Sequence, residues 1–148
     1  MLSQDFKEFV ELLNKKEVDY LIVGGYAVGI HGYPRYTGDL DIWINATRQN
    51  ARKMVAVLTE FGFDSFGLTE EDFTKLGNVI QMGYPPFRID ILTTIDGVRF
   101  KDCYKNKIVV LHDGITLDVI GIEDLRRNKK VSGRLKDIDD LENLKDSD

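Results

Sequence analysis

The segment VGGYAVGIHGYPRYTGDLDIWI, residues Val23–Ile44, is the most informative part of this sequence. Its first half places two adjacent glycines, Gly24 and Gly25, after a short apolar run. Its second half places Asp39 and Asp41 among apolar residues, a pattern that predicts a β-strand with at least one buried face. Because charged side chains are rarely buried without a partner, the two acids indicate that the other face serves a different purpose.

Side chains two residues apart on a strand point to the same face of a sheet, so Asp39 and Asp41 share one face. The opposite face of this strand is apolar and carries Leu40, Ile42 and Ile44. The segment FRIDILT repeats the alternation, with Arg88 and Asp90 on its polar face. Clustered carboxylates repel each other, so a chain that gathers three of them usually supplies a cation. Oxygen ligands without histidine or cysteine favour Mg²⁺ or Mn²⁺ over zinc.

The glycine pair is a second, independent signal. Gly24 and Gly25 stand where a strand is followed by a helix, and N–H groups at a helix N-terminus bind phosphate. Glycine also lets a phosphate approach the backbone closely. An acid-x-acid triplet by itself is common on the solvated face of a sheet. Combined with the glycines and a third acid on a later strand, it suggests two-metal phosphoryl chemistry.

The composition is that of one ordinary domain. The 148 residues fit the usual size of a single domain, and 43% hydrophobic residues suffice for a core. The chain contains neither an apolar run of about 20 residues, as a bilayer requires, nor a signal-peptide pattern at its N-terminus. Its single cysteine, Cys103, fits a structural thiol in a reducing compartment, and a net charge of −5 argues against a basic nucleic-acid coat. We therefore expect a cytoplasmic protein without membrane contact.

Local patterns predict helices and strands in mixed order. The predicted helices are SQDFKEFVELLNKK, a short segment starting at the glycine pair, RQNARKMVAVLTEFG, TEEDFTKLG, and two C-terminal helices within residues 121–145 that break at Ser132-Gly133. The predicted strands are DYLIVGG, GDLDIWI, NVIQMGY, FRIDILT and a hairpin in KIVVLHDGITLDVI. This order predicts an α+β fold with a mixed β-sheet flanked by helices. We expect one domain over residues 1–148, completed by the C-terminal helices 121–145.

These motifs resemble those of the nucleotidyltransferase superfamily, which shares the catalytic fold of DNA polymerase β. Its members have a glycine-glycine or glycine-serine pair, an acid-x-acid on the following strand and a third acid on a later strand, as in Gly24-Gly25, Asp39, Asp41 and Asp90. The patterns R-x-T-x-D-x-D and EDL…K…SGR-x-KD are similar to those of small bacterial nucleotidyltransferases of uncharacterised function. The first segment also resembles aminoglycoside nucleotidyltransferases and AbiEii-type toxins. Two departures are a glycine in place of the serine that many members use, and the lack of a large second domain.

The resemblance implies a role for each motif residue. Asp39 and Asp41 would hold Mg²⁺ (or Mn²⁺), and Asp90 would bind a second ion and help to deprotonate an acceptor hydroxyl. Gly24 and Gly25 would hold the β- and γ-phosphates of a nucleoside triphosphate through their N–H groups. The implied chemistry is an in-line displacement from which pyrophosphate leaves.

Basic side chains complete the predicted nucleotide site. Arg35 would shape the loop that leads to the acids, and Arg88 would either touch phosphate or pair with the acids. Six basic residues lie within eleven positions of the tail, namely Arg126, Arg127, Lys129, Lys130, Arg134 and Lys136. Such a run is usually a solvated helix face, and the alternative is a site for the triphosphate or an RNA acceptor. Arg134 and Lys136 are the candidates because they belong to the motif.

The expected function is Mg²⁺-dependent transfer of NMP from an NTP, with ATP as the expected donor, to a hydroxyl group. The acceptor is a small molecule, an RNA end or a protein side chain. A second copy of the chain, a separate protein partner or the C-terminal helices would form the other wall of the cleft. The alternative functions are a toxin–antitoxin-type module with regulated or lost activity and a nucleotide sensor that does not transfer.

Overall fold

The structure, a computed structural model, describes residues 2–33, 38–63, 67–84 and 86–145. Within these ranges the chain forms the helices α1 Gln4–Lys15, α2 Gly24–Ile30, α3 Arg48–Phe61, α4 Glu70–Thr74, α5 Phe100–Lys105, α6 Ile122–Ser132 and α7 Leu135–Lys145. The strands are β1 Tyr20–Val23, β2 Asp39–Ile44, β3 Val79–Met82, β4 Arg88–Leu92, β5 Ile108–His112 and β6 Ile115–Val119. The predicted α+β class is confirmed.

The strands form one mixed sheet in the order β3-β4-β2-β1-β6-β5. The β2–β4 and β1–β6 pairs are parallel, whereas the β1–β2, β3–β4 and β5–β6 pairs are antiparallel. In this register Asp41 lies opposite both Val23 and Asp90, and Asp90 lies opposite Gln81. One row across four strands therefore carries two of the predicted site acids side by side.

Side-chain caps start the two long N-terminal helices where the sequence predicts them. The hydroxyl of Ser3 accepts a hydrogen bond from the Phe6 N–H at 3.2 Å, and that of Thr47 accepts one from the Asn50 N–H at the same distance. Each bond satisfies one backbone donor that the helix itself leaves unpaired. Gly62, at φ 99°, ends α3 in the left-handed conformation that favours glycine. The face of α1 that packs on the core consists of Phe6, Phe9, Val10 and Leu13, which recur at helical spacing.

The turn chemistry of the C-terminal half also agrees with the sequence. Asp113 and Gly114 have φ values of 50° and 81°, as expected for a two-residue hairpin turn with positive φ at both positions. Gly133, at φ 64°, ends α6 at the predicted break between the last two helices. None of the described helices is both long and apolar enough to cross a membrane.

Helix α5 was not predicted, because it has six residues and no side-chain cap that could mark its start. Tertiary packing holds it in place. Phe100 lies edge-on to Trp43, with ring centroids 5.1 Å apart, and covers it so that only 1% of Trp43 is exposed. Trp43 therefore packs in the core, although it has the same strand parity as the acids. Burial raises the pKa of Cys103, also on α5, to about 12, which fits the structural thiol that the sequence predicts.

Candidate active site

The structure brings the three predicted carboxylates together. Asp39 and Asp41 lie on β2, and Asp90 lies on the neighbouring strand β4, directly opposite Asp41. Burial raises the pKa of Asp41 to about 7, with further contributions from the negative charges of Asp90 and Asp39. The carboxylates thus form a cluster that favours either a proton or a cation at Asp41.

Arg88 supplies the cation that contacts two of these acids. Its Nε donates a hydrogen bond to Asp90 Oδ1 at 2.8 Å, and its Nη2 donates to Asp90 Oδ2 at 3.0 Å and to Asp39 Oδ2 at 2.9 Å. The hydrogen bonds with Asp90 are the main reason that the pKa of Arg88 is raised above its already high value. Of the two roles predicted for Arg88, the structure therefore has the pairing with the acids.

Gly24 lies in direct contact with the acid cluster. It is the first residue of α2, its φ is 67°, and a Cβ built on it would lie 2.0 Å from Asp41 Oδ2. A side chain at this position would meet both backbone strain and a clash, so glycine is required here. Gly25 is buried within α2 and is not among the residues with positive φ. The strict requirement for glycine thus falls on the first member of the pair.

Solved structures with a similar arrangement of strands and helices include nucleotidyltransferases. A candidate nucleotidyltransferase from Thermotoga maritima matches with a TM-score of 0.61 at 14% identity, covering 97% of this chain and 91% of that one. The lincosamide antibiotic adenylyltransferase LnuA, solved with lincomycin bound, matches with a TM-score of 0.59 at 16% identity, covering 100% and 99%. ANT(2″)-Ia in complex with adenylyl-2″-tobramycin matches with a TM-score of 0.55 at 12% identity, covering 96% and 86%.

The chain has the nucleotidyltransferase fold. The resemblance indicated by the glycine pair and the three acids is thereby confirmed at the level of the fold. No protein-family model matches the chain, and none of the curated proteins is significantly similar to it in sequence. At identities of 11–16%, it is the fold that these neighbours establish.

The donor set at Asp39, Asp41 and Asp90 suits a hard divalent cation, because it consists of carboxylate oxygens on adjacent strands. Among the described residues, however, no three His, Cys, Asp or Glu side chains form a group arranged to hold a metal ion. The guanidinium of Arg88 binds Asp39 and Asp90 instead. The carboxylate ligands suit Mg²⁺ or Mn²⁺, but in this structure the positive charge next to them is the guanidinium of Arg88.

The C-terminal helices are joined by an ion cluster, which we call the tail cluster, formed by Lys129, Ser132, Arg134, Asp137 and Asp140. Three of its members, Lys129, Asp137 and Asp140, are buried. Lys129 Nζ donates to Asp137 Oδ1 at 2.9 Å and lies 3.2 Å from Asp140 Oδ2. Ser132 Oγ and Arg134 Nε donate to Asp137 Oδ2 at 2.6 and 2.7 Å. Lys129 is only 2% exposed, so interpreting the basic run as a solvated face is wrong for this residue. Lys129 on α6 thus joins the two helices by its ion pairs with Asp137 and Asp140 on α7.

The other predicted basic residues differ in their exposure and in the acids with which they interact. Arg134 and Lys136 are exposed. The hydrogen bond with Asp137 is the main reason that the pKa of Arg134 is raised, with a smaller contribution from the negative charge of Asp41. The positive charge of Lys136 partly offsets the burial that raises the pKa of Asp41. Both charges are therefore near enough to Asp41 to interact with its charge. Arg35 lies outside the described residues. Arg126 and Arg127 pair with Glu123 and Asp124 along their own helix.

Gln81, an exposed residue on β3 that no sequence motif marks, lies opposite Asp90 in the same row as the acids. Alternation in NVIQMGY separates Gln81 from Ile80, but only the pairing of β3 with β4 places it next to Asp90. A groove of about 740 Å³, lined by residues that include Asp5, Glu11 and Lys15, contains none of the predicted site residues. The candidate site is therefore defined by its carboxylates and glycine rather than by that groove.

The tail cluster makes the first testable prediction, an acid-sensitive contribution of Asp137 to stability. Burial alone would raise the pKa of Asp137, but hydrogen bonds from Arg134, Lys129 and Ser132 hold it well below the usual value of about 3.9. A lowered folded-state pKa means that the stabilisation is present above the unfolded pKa and is lost as the pH falls through the folded pKa. We expect Asp137→Asn to lower the free energy of unfolding by about 3 kcal/mol at pH 7. Removing one partner of a buried ion pair leaves the other, here Lys129, with a buried charge that is no longer fully compensated.

Urea denaturation at pH 7, 5 and 3 measures this effect. The difference between wild type and Asp137→Asn should shrink as the pH falls below about 4, where the unfolded-state carboxyl becomes protonated. Glu142→Gln is the matched control, because it removes one negative charge from an exposed position on the same helix. A difference that stays constant from pH 7 to pH 3 would show that Asp137 contributes through shape and not through charge.

Proposed function

We propose that this chain is a metal-dependent nucleotidyltransferase that transfers NMP from an NTP, preferentially ATP, to a hydroxyl acceptor and releases pyrophosphate. The observation that carries the proposal is the convergence of Asp39, Asp41 and Asp90 beside Gly24 within a nucleotidyltransferase fold. Two of the similar structures are named for adenylyl transfer to lincosamides or contain an adenylylated aminoglycoside. These names favour ATP as the donor and a small hydroxylated molecule as the acceptor.

In this mechanism the acceptor oxygen attacks the α-phosphorus, the bond to pyrophosphate breaks, and the hydroxyl proton passes to Asp90. Asp39, Asp41 and Asp90 would hold Mg²⁺ or Mn²⁺, which when bound neutralises negative charge and orients the displacement. Gly24 and Gly25 would let the triphosphate approach the start of α2 closely. Because Asp90 now accepts two hydrogen bonds from Arg88, it can take a proton only after that contact loosens.

We propose that the positive charges of Arg134 and Lys136 attract the triphosphate. Arg134 and Lys136 are exposed and interact with Asp41, so their charges would reach a nucleotide bound at the acids. We expect Arg134→Ala to weaken NTP binding by about tenfold, which corresponds to about 1.4 kcal/mol. Its melting temperature should fall modestly, because Asp137 loses the hydrogen bond from Arg134, a side chain that is 70% exposed, but keeps those from Lys129 and Ser132.

Nucleotide titrations at fixed Mg²⁺ and rising salt test this prediction. Lys130→Ala, which removes an exposed charge from α6, is the control and should bind NTP like wild type. The difference caused by Arg134→Ala should shrink at high salt, because screening weakens exposed charges. If the Arg134→Ala and wild-type curves coincide, the tail is structural and the second wall of the cleft comes from another chain.

Labelled NTPs incubated with the protein, Mg²⁺ and a fractionated lysate test the proposed function itself, with lincomycin and tobramycin as defined acceptors in parallel. The expected result is labelled acceptor together with pyrophosphate, both of which are lost in Asp41→Asn. NTP binding without pyrophosphate would instead identify a nucleotide sensor. A partner protein that copurifies and suppresses transfer would identify a toxin–antitoxin-type module. The absence of both NTP binding and transfer for all four NTPs would overturn the proposal.

The remaining expectations belong to the same proposal. We place the protein in the cytoplasm, where ATP and Mg²⁺ are available to it. Transfer needs the acceptor hydroxyl held in line with the α-phosphate, and this requires a second wall opposite the sheet. The C-terminal helices, a second copy of the chain or a protein partner would provide that wall.

A further inference from the structure

We propose that Arg88 is a built-in counter-ion that competes with a divalent cation for Asp39 and Asp90, so that metal binds only when the guanidinium leaves. This inference rests on the proposed metal-dependent function and adds a control on metal loading to it. It predicts weak metal binding by the protein alone and tighter binding together with the nucleotide.

The hydrogen bonds of Arg88 occupy the oxygen atoms that a metal would need. Nε and Nη2 form a two-pronged contact with both oxygens of Asp90, at 2.8 and 3.0 Å, and Nη2 also reaches Asp39 Oδ2 at 2.9 Å. The planar guanidinium matches a carboxylate in this way, and a lysine ammonium cannot. Only 9% of the Asp90 side chain is exposed, so water competes weakly for this pair. A metal ion therefore has to displace a well-formed ion pair.

Strand register makes this competition unavoidable. Arg88 precedes Asp90 by two residues on β4, so both side chains project from the same face of the strand. The parallel pairing of β2 with β4 also places Arg88 directly opposite Asp39. The guanidinium is thus anchored between two of the three predicted ligands. A divalent cation at these oxygens would meet a positive charge at close range unless Arg88 moved away.

The phosphates of a nucleoside triphosphate provide new hydrogen-bond acceptors for Arg88. The Arg88 side chain is 27% exposed, so it can turn towards solvent without unfolding β4. Phosphate oxygens accept the same two-pronged hydrogen bonds from guanidinium as carboxylates do. When a nucleotide arrives with its metal, Arg88 exchanges carboxylate oxygens for phosphate oxygens, and the acids are released to the metal. Metal and nucleotide binding are therefore coupled through this one side chain.

Mn²⁺ titration by calorimetry on nucleotide-free protein tests the competition directly. We expect Arg88→Ala to bind Mn²⁺ about tenfold to one-hundredfold more tightly than wild type, the range that corresponds to losing charge-assisted hydrogen bonds. Arg88→Lys keeps the charge but not the two-pronged contact, so its affinity should lie in between. Arg48→Ala removes an exposed arginine that pairs with Glu70 and should bind like wild type. Equal or weaker Mn²⁺ binding by Arg88→Ala would overturn the inference.

Thermal melting with rising Mn²⁺ gives a second readout that does not depend on activity. Without metal, Arg88→Ala loses the three hydrogen bonds to Asp39 and Asp90 and should melt below wild type. Mn²⁺ should raise its melting temperature more than that of wild type. If Arg88→Ala does not fold, the Mn²⁺ affinity of Arg88→Lys is compared with that of wild type instead, and Arg88→Lys must bind Mn²⁺ more tightly. Mn²⁺ binding that is the same in all variants refutes the role of Arg88 alone. If no variant binds Mn²⁺, even with ATP, both this inference and the proposed metal-dependent function fail.

Discussion

Asp41→Asn is expected to abolish nucleotidyl transfer while the fold remains intact, with kcat falling by at least about a thousandfold. Asp41 lies opposite Asp90 and in contact range of Gly24, at the centre of the proposed site. Asparagine has nearly the same shape but carries no charge, so it is a poor ligand for Mg²⁺. Transfer that needs a metal at this position therefore stops, although the backbone and the neighbouring strands are unchanged.

The same substitution should raise the melting temperature when no metal is present. Burial and the charges of Asp90 and Asp39 both disfavour the ionised form of Asp41, and an amide removes that penalty. Lost activity with gained stability is the usual result of neutralising a strained functional site. Pyrophosphate release and thermal melting measure the two effects, with Asp113→Asn in the exposed hairpin turn as the charge-matched control. Transfer at the wild-type rate would remove Asp41 from the site.

Gly24→Ala should damage both stability and activity. The added Cβ would lie 2.0 Å from Asp41 Oδ2, and a φ of 67° is unfavourable for alanine. The left-handed conformation costs about 1–2 kcal/mol and overpacking about 1–3 kcal/mol, so a total loss of about 2–5 kcal/mol is expected. Relief of the clash requires Asp41 to move, and this would also disturb the cation and phosphate positions. Urea denaturation and NTP titration measure the two losses.

Gly29→Ala is the matched control, because it places the same methyl group in the same helix, α2. A Cβ at Gly29 has no neighbouring atom within 4 Å, and its backbone is not in the left-handed region. Since alanine favours helix more than glycine does, this variant should equal or exceed wild-type stability by up to about 1 kcal/mol. If Gly24→Ala is as stable as Gly29→Ala, the close contact with Asp41 does not exist in solution.

Local features of the chain could be predicted from the sequence because they depend on short-range chemistry. Ser3 and Thr47 cap helices with their own hydroxyls, and Asp113-Gly114 forms a hairpin turn whose backbone suits those residues. The shared face of Asp39 and Asp41 follows from the two-residue period of any strand. The α+β class and the approximate location of the site acids were therefore readable without a structure.

Long-range pairing determined the rest, since nothing in a local pattern specifies which strands become neighbours. The parallel pairing of β2 with β4 places Asp90 opposite Asp41 and Arg88 opposite Asp39, and this turns separate charges into an ion-pair cluster. Lys129 lies in a run that reads as a solvated helix face, yet the docking of α7 on α6 buries it against Asp137. The sequence alone was enough to predict which residues would carry the chemistry. The tertiary structure alone decided which charges meet, because the energy of an ion pair depends on distance and burial and not on separation along the chain.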